Sequence, residues 1–165
     1  MAADAVTIVM VAEAPPPDPA HWLSTVEAFH DAGEDVASLD DVAALGVHLT
    51  TALKSAKTGY AVPRESVEAD SILLEEELAR FPQARVLMLM GDTAIKAVNA
   101  IAKRNHEPRP VPAGATYRIR GGDYRFRGMR VFPSYLQVGP AFYIEKSKRR
   151  MIAEDIAAAL AVVRS

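Results

Sequence analysis

The sequence predicts an α/β fold: a three-layer α/β/α sandwich around a central, mainly parallel four-stranded sheet, with a hairpin at one edge. Two observations predict it. Val6 to Val11 and Arg85 to Met90 are short apolar runs, the pattern of strands buried on both faces of a parallel sheet. The second run is followed by Gly91, by Asp92 as a helix cap and by an amphipathic segment, which together form a βα unit. Such units place helices on both faces of a sheet.

The first half of the chain is expected to supply two of the strands. Three prolines, Pro15 to Pro17, end the first strand because proline cannot donate to a sheet ladder. The segments after them are predicted in the order helix, helical turn, strand and long helix: Leu23 to Ala32, Asp40 to Leu45, Gly46 to Leu53 and Arg64 to Arg80.

The second half is expected to supply two more strands and the edge hairpin. The helix that follows Gly91 runs to about Lys103. Thr116 to Phe126 alternates arginines with aromatic and aliphatic residues around Gly121-Gly122-Asp123, which predicts a hairpin. Arg130 to Phe132 leads into a strand end at Pro133-Ser134-Tyr135. Pro140 opens a final helix whose buried stripe is Ile152, Ile156, Leu160 and Val163.

Composition bounds the class of protein. A chain of 165 residues fits a single domain over residues 1–165 with a continuous core. The absence of cysteine excludes disulfides, iron–sulfur clusters and cysteine nucleophiles. The first apolar run is too short to span a bilayer, so we expect a cytoplasmic protein without membrane contact. We also expect a monomer that binds no cofactor. No metal site is expected, because the histidines lack metal-ligand spacing: His21, His30, His48 and His106.

Positive charge is concentrated in the second half. Residues 1–95 contain 16 acidic and 5 basic side chains, whereas residues 96–165 contain 5 acidic and 14 basic ones. Such polarity favours contact with an anionic partner over part of the surface. Two basic sets are candidates for the phosphate backbone of DNA, with a solvated polar face as the alternative. They are the hairpin arginines Arg118, Arg120, Arg125 and Arg127, and the early turns of the final helix, Lys146, Lys148, Arg149 and Arg150.

Four segments in order, residues 9–16, 46–54, 86–98 and 131–137, together resemble the motifs of the uracil-DNA glycosylase superfamily. The first motif, a strand ending in G-E-A-P-G or a close variant, is similar to V-M-V-A-E-A-P-P at residues 9–16. The family's G-V-Y-L-T-N-A-V-K is similar to G-V-H-L-T-T-A-L-K at 46–54, and its strand–Gly–helix segment to residues 86–98. Its V-F-P-T-Y-H-P corresponds to V-F-P-S-Y-L-Q at 131–137, and Glu154-Asp155 matches an E-D pair in its closing helix. The resemblance covers nearly the whole chain.

The resemblance implies a base-binding pocket at the strand ends. There a flipped-out nucleotide would lose its damaged or deaminated base by hydrolysis of the N-glycosidic bond. A carboxylate would stabilise the sugar cation or orient water. The resemblance assigns catalytic roles to Glu13 and Asp18 and implies that DNA is the partner. Residues implied to bind the base are Ala14, Phe29 as the stacking ring, Thr51 and Gln137.

Three positions depart from the family pattern. Thr51 replaces the base-reading asparagine, and one hydroxyl cannot reproduce the donor and acceptor of an amide. Leu136 replaces the histidine that stabilises the departing base, a type of loss that costs about 3 kcal/mol or more. Gln137 replaces a proline. Two other hypotheses therefore remain open: a non-catalytic module that binds nucleic acid or a free base, and a small-molecule enzyme that reuses the pocket.

Overall fold

A five-stranded sheet forms the centre of the molecule. The computed structural model describes residues 2–57, 59 and 61–165. Within them the strand order is β2-β1-β3-β5-β4, with β4 antiparallel and the other strands parallel. The expected α/β class, with a mainly parallel sheet and an added antiparallel edge, is therefore confirmed. The strands are β1 (Ile8–Ala12), β2 (Val47–Thr51), β3 (Val86–Met90), β4 (Tyr124–Phe126) and β5 (Met129–Ser134).

Helices cover both faces of the sheet, as the βα pattern predicts. Two of them, α3 and α4, pack against each other on one face, and α1 packs against α7 on the other. The helices are α1 (Leu23–Asp31), α2 (Leu39–Ala44), α3 (Arg64–Leu78), α4 (Asp92–Arg104), α5 (Thr116–Ile119), α6 (Ala141–Ile144) and α7 (Lys146–Arg164).

The central strands divide their side chains between two cores. Every residue of β1 and β3 is fully buried. Alternate side chains point to opposite faces, so Val9 and Leu87 belong to the core under α3 and α4. Met10 and Met88 belong to the core under α1 and α7. Burial on both faces explains why these strands have no polar positions.

The edge hairpin exists, but its predicted position is wrong. Thr116–Ile119 is the short helix α5, and β4 pairs instead with β5, Phe126 opposite Met129. The connecting loop is Arg127-Gly128, and both residues have positive φ, 49° and 83°. Two-residue loops of this kind match the twist of a hairpin. The Tyr124 hydroxyl donates to the Ile119 carbonyl over 2.7 Å, which ties α5 to the hairpin.

The two helix starts also differ in detail from the prediction. Gly91, with φ of 102°, is the N-cap of α4, and Asp92 is the first residue of the helix. No side-chain hydrogen bond caps this helix start. The expected final helix is broken: Pro140 precedes α6, and Glu145, with ψ of 79°, separates α6 from α7. The predicted stripe on α7 is buried at Ile152, Ile156 and Leu160, and half-buried at Val163.

Candidate functional site

The carboxyl ends of four parallel strands meet at one edge of the sheet, where α/β proteins bind ligands. Register sets this alignment, because Ala12 lies opposite Thr51 and Met90 lies opposite Ser134. The Gly91 amide donates to the Ser134 carbonyl over 3.0 Å. A Cβ on Gly91 would lie 3.5 Å from the Leu136 Cβ, an ordinary van der Waals distance, so the φ of 102° and not crowding is what favours glycine here.

Glu13 is an acidic side chain that lies at this edge and contacts two neighbouring residues. It follows β1 directly, and its backbone carbonyl accepts from the Leu53 amide over 2.9 Å. Its carboxylate accepts a hydrogen bond from the Thr93 hydroxyl (3.2 Å) and lies 3.3 Å from the Lys57 ammonium. The side chain remains 28% exposed. Glu13 is thus a fixed negative charge that solvent or a ligand can reach.

Asp18 makes a local structural contact. It is exposed, and one of its oxygens accepts from the Ala20 amide over 2.9 Å. This bond caps the helical turn Pro19–Trp22. Ala14 is half-buried and packs against the core under α3 and α4. The capping of this turn therefore explains why an aspartate occupies position 18.

The predicted base-binding side chains are already committed within the protein. Phe29 is completely buried in the core under α1 and α7, so its ring face is covered in this structure, and its stacking role stays a prediction. The Thr51 hydroxyl donates to the Leu53 carbonyl over 2.5 Å. Gln137 is fully buried, and its amide lies 3.3 Å from the Met10 sulfur. Its Oε1 has no hydrogen-bond partner among the described residues.

The basic residues of α7 divide into paired and unpaired groups. Arg149 makes two hydrogen bonds to Asp31, at 2.6 and 3.0 Å, which raise the pKa of its guanidinium. Lys148 pairs with Glu145 at 3.0 Å. Lys146 and Arg150 are exposed and form no ion pair with any residue that the structure describes. Half of this set is therefore neutralised internally.

The hairpin arginines do not share one face. Arg120 pairs with Glu154 on α7, whereas Arg127 contacts Glu75 on α3 and Glu107 after α4. These partners lie on opposite sides of the sheet, since α3 and α7 cover different faces. The expectation of one basic face along the hairpin is wrong. The segment in which arginines alternate with apolar residues is not one continuous strand: it includes α5 and a turn as well as β4, so its arginines point in different directions.

An ionic cluster at the end of β2 was not anticipated from the sequence. Glu77 of α3 lies 2.7 Å from His48 Nε2, 2.7 Å from the Lys54 ammonium and 2.7 Å from the Thr50 hydroxyl. Burial raises the pKa of this carboxyl, but hydrogen bonds from His48, Lys54 and Thr50 and the Lys54 charge outweigh burial and lower the pKa to about 2. The only signal was the alternation of polar residues along β2.

A second buried polar group lies under the end of β5. The Ser134 hydroxyl donates to Asp155 over 2.6 Å, and Arg120 Nε lies 3.5 Å from the same carboxylate. Burial raises the pKa of Asp155, while the Ser134 hydrogen bond and the Arg120 charge act against that increase. These contacts tie α7 to the sheet, so Asp155 is explained by packing.

Two cavities flank the start of α4. A cavity of about 600 Å³ lies between α3 and α4 and includes Thr93, the hydroxyl that holds Glu13. Another, of about 570 Å³, lies between α5, α7 and the loops after β3 and β5, and includes Leu136. Among the described residues, neither lining includes Glu13, Thr51 or Gln137.

Comparison with models of known protein families and with characterised proteins finds no match. None of the helices within residues 2–57, 59 and 61–165 combines the length and apolar character that a bilayer span needs. The histidine, aspartate and glutamate side chains of those same residues form no group of three that could hold a metal ion.

Proposed function

We propose that this chain acts on nucleic acid as a member of the uracil-DNA glycosylase superfamily and hydrolyses the N-glycosidic bond of a damaged or deaminated base. The observation that carries the proposal is the position of Glu13. Its carboxylate lies at the ligand-binding edge of the sheet, oriented by Thr93 and Lys57 and still open to solvent. A fixed carboxylate stabilises an oxocarbenium-like sugar or orients the attacking water.

The sheet supports the same proposal. Parallel strands in the order β2-β1-β3-β5, with helices on both faces, agree with the fold that the sequence resemblance implies. The four resembling segments supply β1, β2, β3 and β5, and the loop of each reaches the same edge. Glu13 follows the first of these strands.

The leaving base is the weaker part of this chemistry. Leu136 lies where the family carries a histidine, and its side chain has no proton or dipole to offer an anion. Excision is therefore expected to favour bases that leave easily, such as those protonated or destabilised by damage. With Phe29 buried, base recognition falls to other groups at this edge.

A non-catalytic module that binds nucleic acid is the second candidate. The commitment of Thr51 to Leu53, and of Gln137 to the core, favours it. In that case Glu13 would be a structural carboxylate that joins the loop after β1 to α4. Only the glycosylase would release the base and leave an abasic site, so this product distinguishes the two candidate functions.

The decisive experiment incubates the purified chain with duplex and single-stranded oligonucleotides that carry uracil, hypoxanthine, xanthine or an oxidised base. Alkaline cleavage then detects abasic sites. We expect excision of at least one base, reduced about 100-fold or more by Glu13→Gln with oligonucleotide binding retained. Thr93→Val removes the hydrogen bond to the carboxylate and should reduce excision about tenfold.

Asp35→Asn is the matched control, because Asp35 is exposed in the connection between α1 and α2. It should leave excision unchanged. Full activity of the Glu13→Gln variant would refute the catalytic role of Glu13. Binding without abasic sites on every substrate would support the non-catalytic candidate.

A further inference from the structure

The cavity between α3 and α4 has a regular wall. Thr93, Lys96, Ala100 and Lys103 follow one another along α4 at spacings of three or four residues, so they lie on one face of the helix. This face and Val67 of α3 border a space of about 600 Å³, here termed the α3/α4 groove. From Thr93 to Lys103 the helix rises about 15 Å.

The chemistry of the groove combines an apolar floor with unpaired positive charge. Val62, Val67 and Ala100 supply apolar surface. The two acidic side chains in the lining are engaged: Glu68 with Arg64 at 2.9 Å, and Glu107 with Arg127 at 2.6 Å.

Three cations of the lining are exposed and form no ion pair within residues 2–57, 59 and 61–165: Lys96, Lys103 and Arg109. They therefore leave a net positive potential over the groove. An anionic ligand with a flat or apolar body complements this combination.

The far end of the groove is held in place by the backbone. Asn99 donates to the Val111 carbonyl over 3.1 Å and accepts from the Val111 amide over 3.2 Å. Arg109 Nε donates to the same carbonyl over 2.8 Å. The segment that carries Arg109 is thus fastened to α4, and its cation is presented beside Lys103 without a large loss of freedom on binding.

The near end of the groove is linked to the candidate catalytic group through Thr93, although Glu13 is not itself part of the lining. Thr93 lines the groove and its hydroxyl holds Glu13. A ligand lying along α4 would therefore have one end at this carboxylate and its anionic groups against the lysines. A nucleic-acid strand carries a phosphate at regular short intervals and so presents several over about 15 Å.

We propose that the α3/α4 groove binds a single-stranded nucleic-acid segment next to the nucleotide that reaches Glu13. Lys96, Lys103 and Arg109 contact phosphates, and the apolar floor takes the face of a base. This inference rests on the proposed function for the identity of the ligand, but binding can be measured without excision. The proposal extends the nucleic-acid contact from the strand-end edge of the sheet to the outer face of α4, on one side of the sheet.

The test measures binding of the full chain to a fluorescein-labelled single-stranded oligonucleotide by anisotropy, from 50 to 200 mM salt. The triple variant Lys96→Gln, Lys103→Gln, Arg109→Gln should bind roughly tenfold more weakly and lower the salt slope by about 2. The matched control Arg80→Gln, Arg85→Gln, Arg164→Gln also removes three exposed cations, none of which lines the groove, and should change binding little.

Ala100→Leu tests the groove without changing charge. Ala100 is half-buried in the groove lining, so the larger side chain fills part of the floor and should weaken the oligonucleotide complex, with circular dichroism confirming an intact fold. Unchanged binding of both the triple variant and Ala100→Leu would overturn the proposal. So would an equal loss in the control variant, which would indicate general attraction between the chain and the oligonucleotide, or equally tight binding of a free mononucleotide.

The outcomes separate this inference from the proposed function. Groove-dependent binding with no abasic site on any substrate would sustain the inference and reject the glycosylase. Excision that the triple variant and Ala100→Leu leave untouched would sustain the glycosylase and reject the groove.

Discussion

Replacing Glu77 by glutamine should expose how much the ionic cluster at β2 stabilises the protein. The carboxyl has an ordinary pKa of 4.5 and a pKa of about 2 in the folded chain, despite burial, because His48, Lys54 and Thr50 bind its ionised form. A difference of 2.5 pH units corresponds to about 3 kcal/mol of folding free energy. The Glu77 side chain is 13% exposed, so solvent screens little of this interaction.

The sign of the pH dependence follows from the lowered pKa. A carboxyl with a folded pKa below its unfolded one stabilises the protein fully above pH 4.5, and the contribution is lost as pH falls towards 2. Glu77→Gln should therefore lower the free energy of unfolding by about 3 kcal/mol at pH 7 but by only about 1.4 kcal/mol at pH 3. The Lys54 ammonium also donates to the Thr51 carbonyl over 2.6 Å. This hydrogen bond does not depend on Glu77, so Lys54 keeps a partner and the variant is expected to fold.

Urea denaturation followed by circular dichroism and by fluorescence of Trp22, the single tryptophan, measures both values. Glu76→Gln is the control, because Glu76 is an exposed neighbour on the same helix. If Glu77→Gln costs no more than Glu76→Gln at pH 7, or if the cost stays constant down to pH 3, the assignment of the stabilisation to the Glu77 charge is wrong.

Three further substitutions test other parts of the structure by urea denaturation. Burial raises the pKa of Asp155, so the contribution of this carboxyl to the free energy of unfolding should fall as pH rises from 3.8 through the raised value; the stability difference between wild type and Asp155→Asn should change with pH in that sense, and a constant difference would contradict it. Gly91→Ala should cost about 2 kcal/mol because alanine rarely adopts φ of 102°, and a neutral result would show that α4 can start differently. Ser24→Ala removes the donor 2.5 Å from the buried Gln137 carbonyl and should cost about 1–2 kcal/mol, a loss that Ser165→Ala should not reproduce.

Sequence patterns predicted the central strands because their signal is redundant. Every side chain of β1 and β3 is buried, so each position is apolar whichever face it points to. The edge was harder, because Tyr124 to Phe126 is only three residues long. Its turn, Arg127-Gly128, has arginine where asparagine or aspartate is the usual signal. The conspicuous glycines Gly121-Gly122 lie instead in the connection between α5 and β4.

The site was predictable at Glu13 and much less so elsewhere. A carboxylate directly after a buried parallel strand must lie at the ligand edge, whatever the rest of the fold does. Phe29 could not be placed this way, since a phenylalanine on a short helix fits either a core or an exposed ring. Gln137 was equally ambiguous, because its contacts come from residues more than 100 positions earlier in the chain: its backbone carbonyl accepts from Ser24 and its side-chain amide lies 3.3 Å from the Met10 sulfur.

The placement of α7 has a consequence for how the chain emerges from the ribosome. The face of the sheet that carries Met10 and Met88 is covered by α1 and α7, and Arg149 reaches back 118 residues to Asp31. All five strands precede α7 in the chain, so that methionine-rich surface can be made before the helix that covers part of it. Apolar surface that is transiently uncovered in this way is prone to aggregation during folding.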